Sequence, residues 1–344
     1  MYTVENFLEY YKDEPFEKLP FCEADNLFFV CLSYIPFEKA LKGRSATIED
    51  AWKMMIDSDI EVVDDMFKMN SKTVELLNKY SNCERYRNVK MCNVEAVLTP
   101  TVQFAAMTFR KGKMAVVAYR GTDASISGWK ENLTICFECP NETQKLATKY
   151  LNKTLNIFDR DVYVVGHSKG GNLAVAASMF SSSFIKRKIK RIYNNDGPGF
   201  MKKDLETKEF KSIEDKLITF VPEDSWVGMV LSHNDYHVIK SNALGLYQHP
   251  VTSWELYGPF LVSGVQTPFS KRAHQIFNDT MEKAQPANFL SAINILTEII
   301  EKTGVKYLWQ IRLPEFLAII KAGDSIDEDT KSLFIESVNN LFIK

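Results

Sequence analysis

The stretch VYVVGHSKGGNLAV, from Val162 to Val175, decides the fold of this chain. It leads an apolar, β-branched segment into a glycine-rich turn and then into a helical pattern. The residues before Gly166 are typical of a strand that is buried on both faces of a sheet. The small residues after Gly171 can pack closely on such a sheet as a helix. The stretch therefore predicts a strand, a sharp turn at Ser168 and a helix that begins directly after it.

Glycines flank Ser168 at the two positions where side chains would be hardest to accommodate. The backbone of a strand-to-helix turn is tightly bent, so a Cβ two residues before or after the serine would collide with it. Gly166 and Gly170 supply this room. A helix that begins after the serine directs its free N–H groups and the positive end of its dipole at the turn, where they would stabilise an oxyanion. A plain glycine-rich turn is the alternative, and the spacing fits neither a Walker nor a Rossmann phosphate loop.

The segments around this turn predict an α/β fold with a mostly parallel sheet and helices on both faces. Upstream, residues 101–121 predict two strands joined at the Lys111-Gly112-Lys113 turn, ENLTICFEC predicts a short strand or extended loop, and a helix capped by Asn141 follows. Downstream, helix and strand patterns alternate as far as YHVIKSNALGLY. We expect residues 1–95 to form a helical N-terminal extension packed on the core, 96–265 to form the core, and 266–344 to form a helical C-terminal cap or appendage.

Composition narrows the class of protein. A formal net charge of -2 over 344 residues indicates no general attraction to nucleic acid. No apolar run approaches the ~18 residues that a membrane-spanning helix needs, and the acidic, amphipathic N-terminus does not predict a secretory signal. The six cysteines predict reduced core thiols, because only CFEC has CxxC spacing and no second pair or histidine completes a metal site. We therefore predict a cytoplasmic protein without a bound metal or organic cofactor.

Two separate motifs resemble one known family. VVGHSKGGNLAV, together with AVVAYRGTDASISGWKENL upstream, is similar to the class 3 lipase group of α/β-hydrolases, and in particular to a bacterial branch whose nucleophile elbow reads GHSKGGNLA. The resemblance extends over about Asn26 to Trp254 and implies an α/β-hydrolase fold. It also implies that the strand end at Gly121 and Thr122 supplies one half of an oxyanion hole through the Thr122 N–H, and that Lys169 supplies the second N–H.

A serine nucleophile needs a histidine to accept its proton and a carboxylate to orient that histidine. In this fold the chain order is serine, acid, histidine, which leaves His233, His237, His249 and His274. His274 lies in a charged helical stretch, and His233 and His237 precede or enter the last extended segment. His249 follows that segment and is preferred, and the resemblance also places the histidine before a Ser-Trp pair. His233 and His237 remain alternatives.

Two aspartates compete for the role of the acid. The resemblance places the carboxylate after the second strand beyond the elbow, which favours Asp224 in the segment LITFVPEDSWVG. Asp196, at the end of the preceding strand, is the runner-up, although it could simply shape a turn. His167 flanks the nucleophile and is expected to pack or to hydrogen-bond behind it.

The predicted function is hydrolysis of carboxylic esters, including lipid or acyl-chain esters, by Ser168, His249 and Asp224, with Thr122 and Lys169 holding the oxyanion. The expected partner is a small-molecule or lipid ester. Contact with a membrane surface, the oligomeric state, and a lid formed by the C-terminal helices are left open. One alternative is a catalytically silent hydrolase fold that binds a ligand. Another is a peptidase or acyltransferase that uses the same three residues.

Overall fold

A computed structural model describes residues 2–64, 68–99, 102–122 and 137–283, together with 328, 329 and 332, except for the side chains of 273, 281 and 282. Its centre is an eight-stranded sheet in which the spatial order of the strands follows the chain. The strands are β1 (Ala46–Thr47), β2 (Lys90–Leu98), β3 (Gln103–Lys111), β4 (Met114–Tyr119), β5 (Asp161–His167), β6 (Ile189–Asn195), β7 (Leu217–Pro222) and β8 (His237–Ile239). A separate hairpin consists of β9 (Leu256–Tyr257) and β10 (Phe260–Leu261).

The predicted α/β-hydrolase fold is confirmed by this sheet and the helices that flank it. Neighbouring strands pair antiparallel from β1 to β4 and parallel from β4 to β8. The expected hairpin between residues 101 and 121 is the β3–β4 pair, and Gly112 adopts a φ of +59° in its turn. The N-terminal segment was expected to be helical, but it also contributes β1 and the first part of β2 to the edge of the sheet. Short, interrupted apolar runs of this kind do not distinguish a strand from a helix.

Helices precede, connect and follow the strands along the chain. Before β3 they are α1 (Val4–Tyr11), α2 (Glu23–Ser33), α3 (Phe37–Leu41), α4 (Ile48–Asp57) and α5 (Met69–Tyr80). After β4 they are α6 (Glu142–Thr154), α7 (Lys169–Phe180), α8 (Ser183–Lys188), α9 (Lys202–Leu205), α10 (Lys208–Lys211) and α11 (Pro268–Lys283). The segment MKKDLETKEF, from Met201 to Phe210, contains α9 and most of α10.

Alternating side chains on the strands build one core on each face of the sheet. On β4, Val116 and Ala118 join the core that contains the N-terminal helices, whereas Val117 and Tyr119 join the core that contains α6 and α7. This alternation follows from the two-residue repeat of a strand. The N-terminal helices therefore pack on one face of the sheet, together with Val251, Trp254 and Leu256.

Helix α2 is the most deeply buried element of that face, because every residue from Ala24 to Ser33 is buried. It packs on β4 and β5. Full burial of one large apolar side chain such as Phe28 or Phe29 contributes about 1.5–3 kcal/mol. The helix also carries the buried Asp25, whose carboxylate pairs with the equally buried guanidinium of Arg85.

Two of the predicted segments lie largely outside the described residues. They are ENLTICFEC, of which only residues 137–139 are described, and the C-terminal region beyond Lys283. Among the helices of the described ranges, none combines the length and the hydropathy that a membrane crossing requires.

Candidate active site

The turn between β5 and α7 holds Ser168 in a strained backbone conformation. Its φ of +55° and ψ of -134° lie in a region that non-glycine residues rarely occupy. A Cβ on Gly166 would come well under 3.0 Å from the carbonyl oxygen of Gly170, and a Cβ on Gly170 would do the same at the carbonyl oxygen of Tyr119. This crowding by rigid backbone leaves no room for a side chain at either position. Ser168 itself stays partly exposed.

The neighbouring parallel strand brings a carboxylate to the same edge of the sheet. His167 and Asn195 are partners in the β5–β6 register, and the Ser168 N–H donates to the Asn195 carbonyl oxygen over 3.0 Å. Asp196 comes next on that strand end, so it lies beside the serine turn. Its side chain is buried and its φ is +49°.

His249 completes the group at this edge. Its Nδ1 lies 2.7 Å from Oδ2 of Asp196, and the exposed fractions of the two side chains are 12% and 1%. A carboxylate only accepts hydrogen bonds, so Nδ1 carries the hydrogen and Nε2 is the ring nitrogen with the lone pair. Oδ1 of Asp196 accepts from the Ser225 hydroxyl and, over 3.1 Å, from the Gly228 N–H. These bonds fix the carboxylate that orients the imidazole.

The sequence-based choice of Asp224 as the acid is corrected by this geometry, because the carboxylate beside His249 is Asp196. Asp224 Oδ1 accepts from the Thr267 hydroxyl over 2.7 Å. Its Oδ2 accepts from Gln248 Nε2 over 3.2 Å and from the Gly245 N–H over 3.3 Å. Gly245 and Gln248 bound the short 3-10 turn directly before His249. Asp224 therefore fastens the loop that carries the histidine.

The other downstream histidines have separate surroundings. His233 Nε2 donates to the Gly228 carbonyl oxygen over 2.6 Å, and burial lowers the pKa of His233 to about 4. His237 is exposed at the start of β8. His274 Nδ1 lies 2.7 Å from the Met229 carbonyl oxygen. No contact of these three with the Asp196 carboxylate is found among the described hydrogen bonds and ion pairs, so His249 stays the candidate base.

The residues expected to form an oxyanion hole lie on two segments that touch. A Cβ on Gly121 would come within 2.7 Å of the His167 carbonyl oxygen, which places the end of β4 directly against the serine turn. Thr122 follows Gly121, and Lys169 is the first residue of α7. The Lys169 side chain is buried, and its Nζ donates to the Gln103 carbonyl oxygen over 2.6 Å. It thereby ties the start of α7 to the start of β3.

Three residues near the site were not anticipated from the sequence. Ser225 supports Asp196 directly, and its position beside Asp224 was the one local signal that could have suggested it. Tyr34 contacts His167, and Asn26 contacts Asn195. The last two contacts join residues 133 and 169 positions apart, so no local pattern could reveal them.

A metal centre has no ligand set in the described ranges, where no three His, Cys, Asp or Glu side chains are grouped to hold an ion.

Comparison with known proteins gives one family match. A family model described as Mbeg1-like matches residues 80–294. Among solved structures, the Rhizomucor miehei lipase propeptide complex is 12% identical, with 71% of this chain and 82% of that chain covered and a TM-score of 0.37. A structure described as M37 lipase is 15% identical, with 67% and 70% covered and a TM-score of 0.34. A comparison with curated protein sequences gives no significant match. Since the family model spans more than half of its length, the chain belongs to the Mbeg1-like family.

Proposed function

We propose that this chain is a serine hydrolase that cleaves carboxylic esters through an acyl-enzyme on Ser168. His249 serves as the general base, and Asp196 is the carboxylate that orients it. The observation that carries the proposal is the 2.7 Å contact between His249 Nδ1 and Asp196 Oδ2. This contact lies at the sheet edge where the strained turn presents Ser168.

The proposed reaction has two acyl-transfer steps. Ser168 Oγ attacks the ester carbonyl carbon while His249 Nε2 accepts its proton, and the same imidazolium then protonates the departing alcohol. Water attacks the acyl-enzyme in the second step, and His249 again accepts and returns the proton. Asp196 stabilises the imidazolium in both steps. The N–H groups of Thr122 and Lys169 hold the oxyanion, and no cofactor is needed.

The substrate we propose is an ester with an apolar acyl group, including lipid esters. The loop that leads to His249 carries three apolar residues that are exposed to solvent. The exposed fractions of Leu244, Leu246 and Tyr247 are 83%, 45% and 60%. Exposed apolar side chains beside a reaction centre support an apolar substrate, because contact with it removes their surface from water. His249 N–H donates to the Leu246 carbonyl oxygen over 3.1 Å, which keeps this apolar loop next to the imidazole.

A cytoplasmic location belongs to the same proposal. Cys22, Cys31, Cys83, Cys92 and Cys139 carry free thiols. Unpaired cysteines are ordinary in a reducing compartment.

The first prediction concerns the nucleophile. The purified protein should react with a fluorophosphonate probe, and Ser168→Ala should abolish both this labelling and the hydrolysis of nitrophenyl esters. A series of acyl lengths should reveal a preference for longer chains. A folded wild-type protein that is not labelled would contradict the proposal and would favour a silent fold that binds a ligand. Faster release of amines than of esters would favour a peptidase.

The second prediction separates the two aspartates. Asp196→Asn should lower kcat by about 10⁴-fold, the size of effect seen when the orienting carboxylate of such a triad becomes an amide. Asp224→Asn should retain activity within about tenfold, because an asparagine oxygen can still accept from Gln248 and Gly245. Asp224→Ala, which removes all three bonds, should be less active than Asp224→Asn. An Asp224→Asn variant as inactive as Asp196→Asn would overturn the assignment of the acid.

A further inference from the structure

We propose that helix α2, with Tyr34 at its C-terminal end, is the element that positions the candidate catalytic loops relative to one another. The inference rests on the proposed function and extends it to the N-terminal segment. Helix α2 and Tyr34 contact three residues just before site residues in the chain. His167 and Asn195 immediately precede Ser168 and Asp196, and Arg120 lies two positions before Thr122. His167 in turn hydrogen-bonds to the backbone of His249.

Tyr34 and His167 form the first of these links. The Tyr34 hydroxyl lies 2.8 Å from His167 Nδ1, and His167 Nε2 lies 2.8 Å from the carbonyl oxygen of His249. The His167 ring is buried and lies 4.3 Å from the His249 ring, centroid to centroid. The residue before the nucleophile therefore holds the backbone of the candidate base.

Hydrogen-bond chemistry fixes the tautomer of His167. A carbonyl oxygen only accepts, so Nε2 must carry the hydrogen that it donates to His249. Burial lowers the pKa of His167 well below its ordinary value, so the ring is neutral and Nδ1 has no hydrogen. Nδ1 then accepts from the Tyr34 hydroxyl. In the opposite tautomer, an Nε2 lone pair would face the His249 carbonyl oxygen and repel it.

Asn26 and Asn195 form the second link. Asn26 Nδ2 donates to Asn195 Oδ1 over 2.8 Å, and Asn195 Nδ2 donates back to Asn26 Oδ1 over 2.9 Å. Both side chains are fully buried. Asn195 Nδ2 also donates to the Gly166 carbonyl oxygen over 2.9 Å. The residue before Asp196 is thus fixed to α2 on one side and to the strand of the nucleophile on the other.

Arg120 forms the third link, at the end of β4. Its Nε donates to the Ser33 carbonyl oxygen over 2.5 Å, and a second guanidinium nitrogen donates to the Ile35 carbonyl oxygen over 3.0 Å. That second nitrogen also lies 3.0 Å from a Glu38 carboxylate oxygen. The segment that leads to Thr122 is therefore attached to the C-terminal end of α2, where free carbonyl groups attract a cation.

These links make Tyr34, Asn26 and His167 positioning residues, because the hydrogen bonds that the described part of the chain gives them do not involve the side chain of Ser168, Asp196 or His249. A triad works only when its members hold their separations within about 0.5 Å. Loss of one link should therefore lower kcat and leave KM largely unchanged.

The test compares Tyr34→Phe with Tyr80→Phe. Tyr80 lies in α5 on the same face of the sheet, is buried where Tyr34 is half-buried, and donates one hydrogen bond to Glu9 over 2.8 Å, away from the site. We expect Tyr34→Phe to lower kcat of nitrophenyl ester hydrolysis about tenfold or more, with KM within twofold. Tyr80→Phe should keep the wild-type kcat at a comparable loss of melting temperature. Nitrogen-15 NMR should report a protonated Nε2 and an unprotonated Nδ1 on His167 in the wild type. In Tyr34→Phe the same tautomer should persist with a changed Nδ1 chemical shift, because Nδ1 loses the hydrogen bond from the Tyr34 hydroxyl.

Several outcomes would overturn this inference. They are an unchanged kcat in Tyr34→Phe, an equal fall of kcat in Tyr80→Phe, or an unprotonated Nε2 on His167 in the wild type. The NMR measurement requires neither a variant nor catalysis, so it tests the link even if Tyr34→Phe does not fold. A wild type that shows the expected tautomer but no fluorophosphonate labelling would refute the proposed function and leave the tautomer assignment standing.

Discussion

At the scale of single residues, the serine turn depends on glycines, because a side chain at these positions would collide with the backbone. Gly166 faces the carbonyl oxygen of Gly170 so closely that a Cβ would overlap it. We predict that Gly166→Ala lowers the free energy of unfolding by about 3 kcal/mol or more, since the overlap is with rigid backbone. Gly112→Ala is the control, because Gly112 has a φ of +59° but open space around it. That change should lower stability by only about 1–2 kcal/mol, the penalty of a left-handed backbone. Urea unfolding of both variants provides the measurement, and equal losses would refute the steric account.

Site residues could be predicted from the sequence where the requirement for them is local. Ser168 and its glycines were predictable because their requirement is local: a bent backbone needs room within two residues. The acid was not, because the order serine, acid, histidine admits both Asp196 and Asp224. The choice depends on which strand end the folded loop of His249 meets, and that loop is fastened by Asp224 itself through Gln248.

At the scale of elements, α2 is held by one buried ion pair. Arg85 donates to both carboxylate oxygens of Asp25, and its remaining guanidinium donors reach the carbonyl oxygens of Glu14 and Leu19. We predict that Arg85→Leu lowers the free energy of unfolding by about 3–5 kcal/mol, because the Asp25 charge would stay buried without its partner.

Arg87→Leu is the matched control for this prediction. Arg87 lies only two residues after Arg85 and pairs with Glu84, but the side chains of Arg87 and Glu84 are largely exposed, at 58% and 41%. An exposed pair of this kind contributes about 0–1 kcal/mol. Denaturant midpoints of the two variants should therefore differ widely. Similar midpoints would mean that the buried pair does not hold α2.

The positioning role proposed for α2 could not be predicted from the sequence. The amphipathic N-terminal pattern predicted helices on the core and gave no indication that one of them touches the site. The contacts of Asn26 and Tyr34 cross more than a hundred positions of the chain. Local periodicity reports which face of a helix is apolar, but it does not report which loop a buried polar side chain will meet.

At the scale of the whole molecule, the buried His167 and the half-buried His233 should make stability depend on pH. Burial lowers the pKa of His233 to about 4 and lowers that of His167 in the same direction. The unfolded chain binds a proton at each of them near the ordinary pKa of ~6.5, whereas the folded chain does not. Their contribution to stability is therefore complete above about pH 6.5 and is lost as the pH falls toward 4.

We predict that His233→Gln weakens this acid destabilisation while keeping a donor for the Gly228 carbonyl oxygen. As the pH decreases below about 6.5, each histidine that stays neutral in the folded protein lowers the free energy of unfolding by at most ~1.4 kcal/mol per pH unit. Replacing that histidine removes its share of the dependence of the unfolding free energy on pH. Urea unfolding between pH 7 and 4.5 should show a shallower decline for His233→Gln than for the wild type. His237→Gln changes an exposed histidine four residues away and should follow the wild-type curve. A decline in His233→Gln as steep as that of the wild type would mean that acid unfolds the protein through other groups.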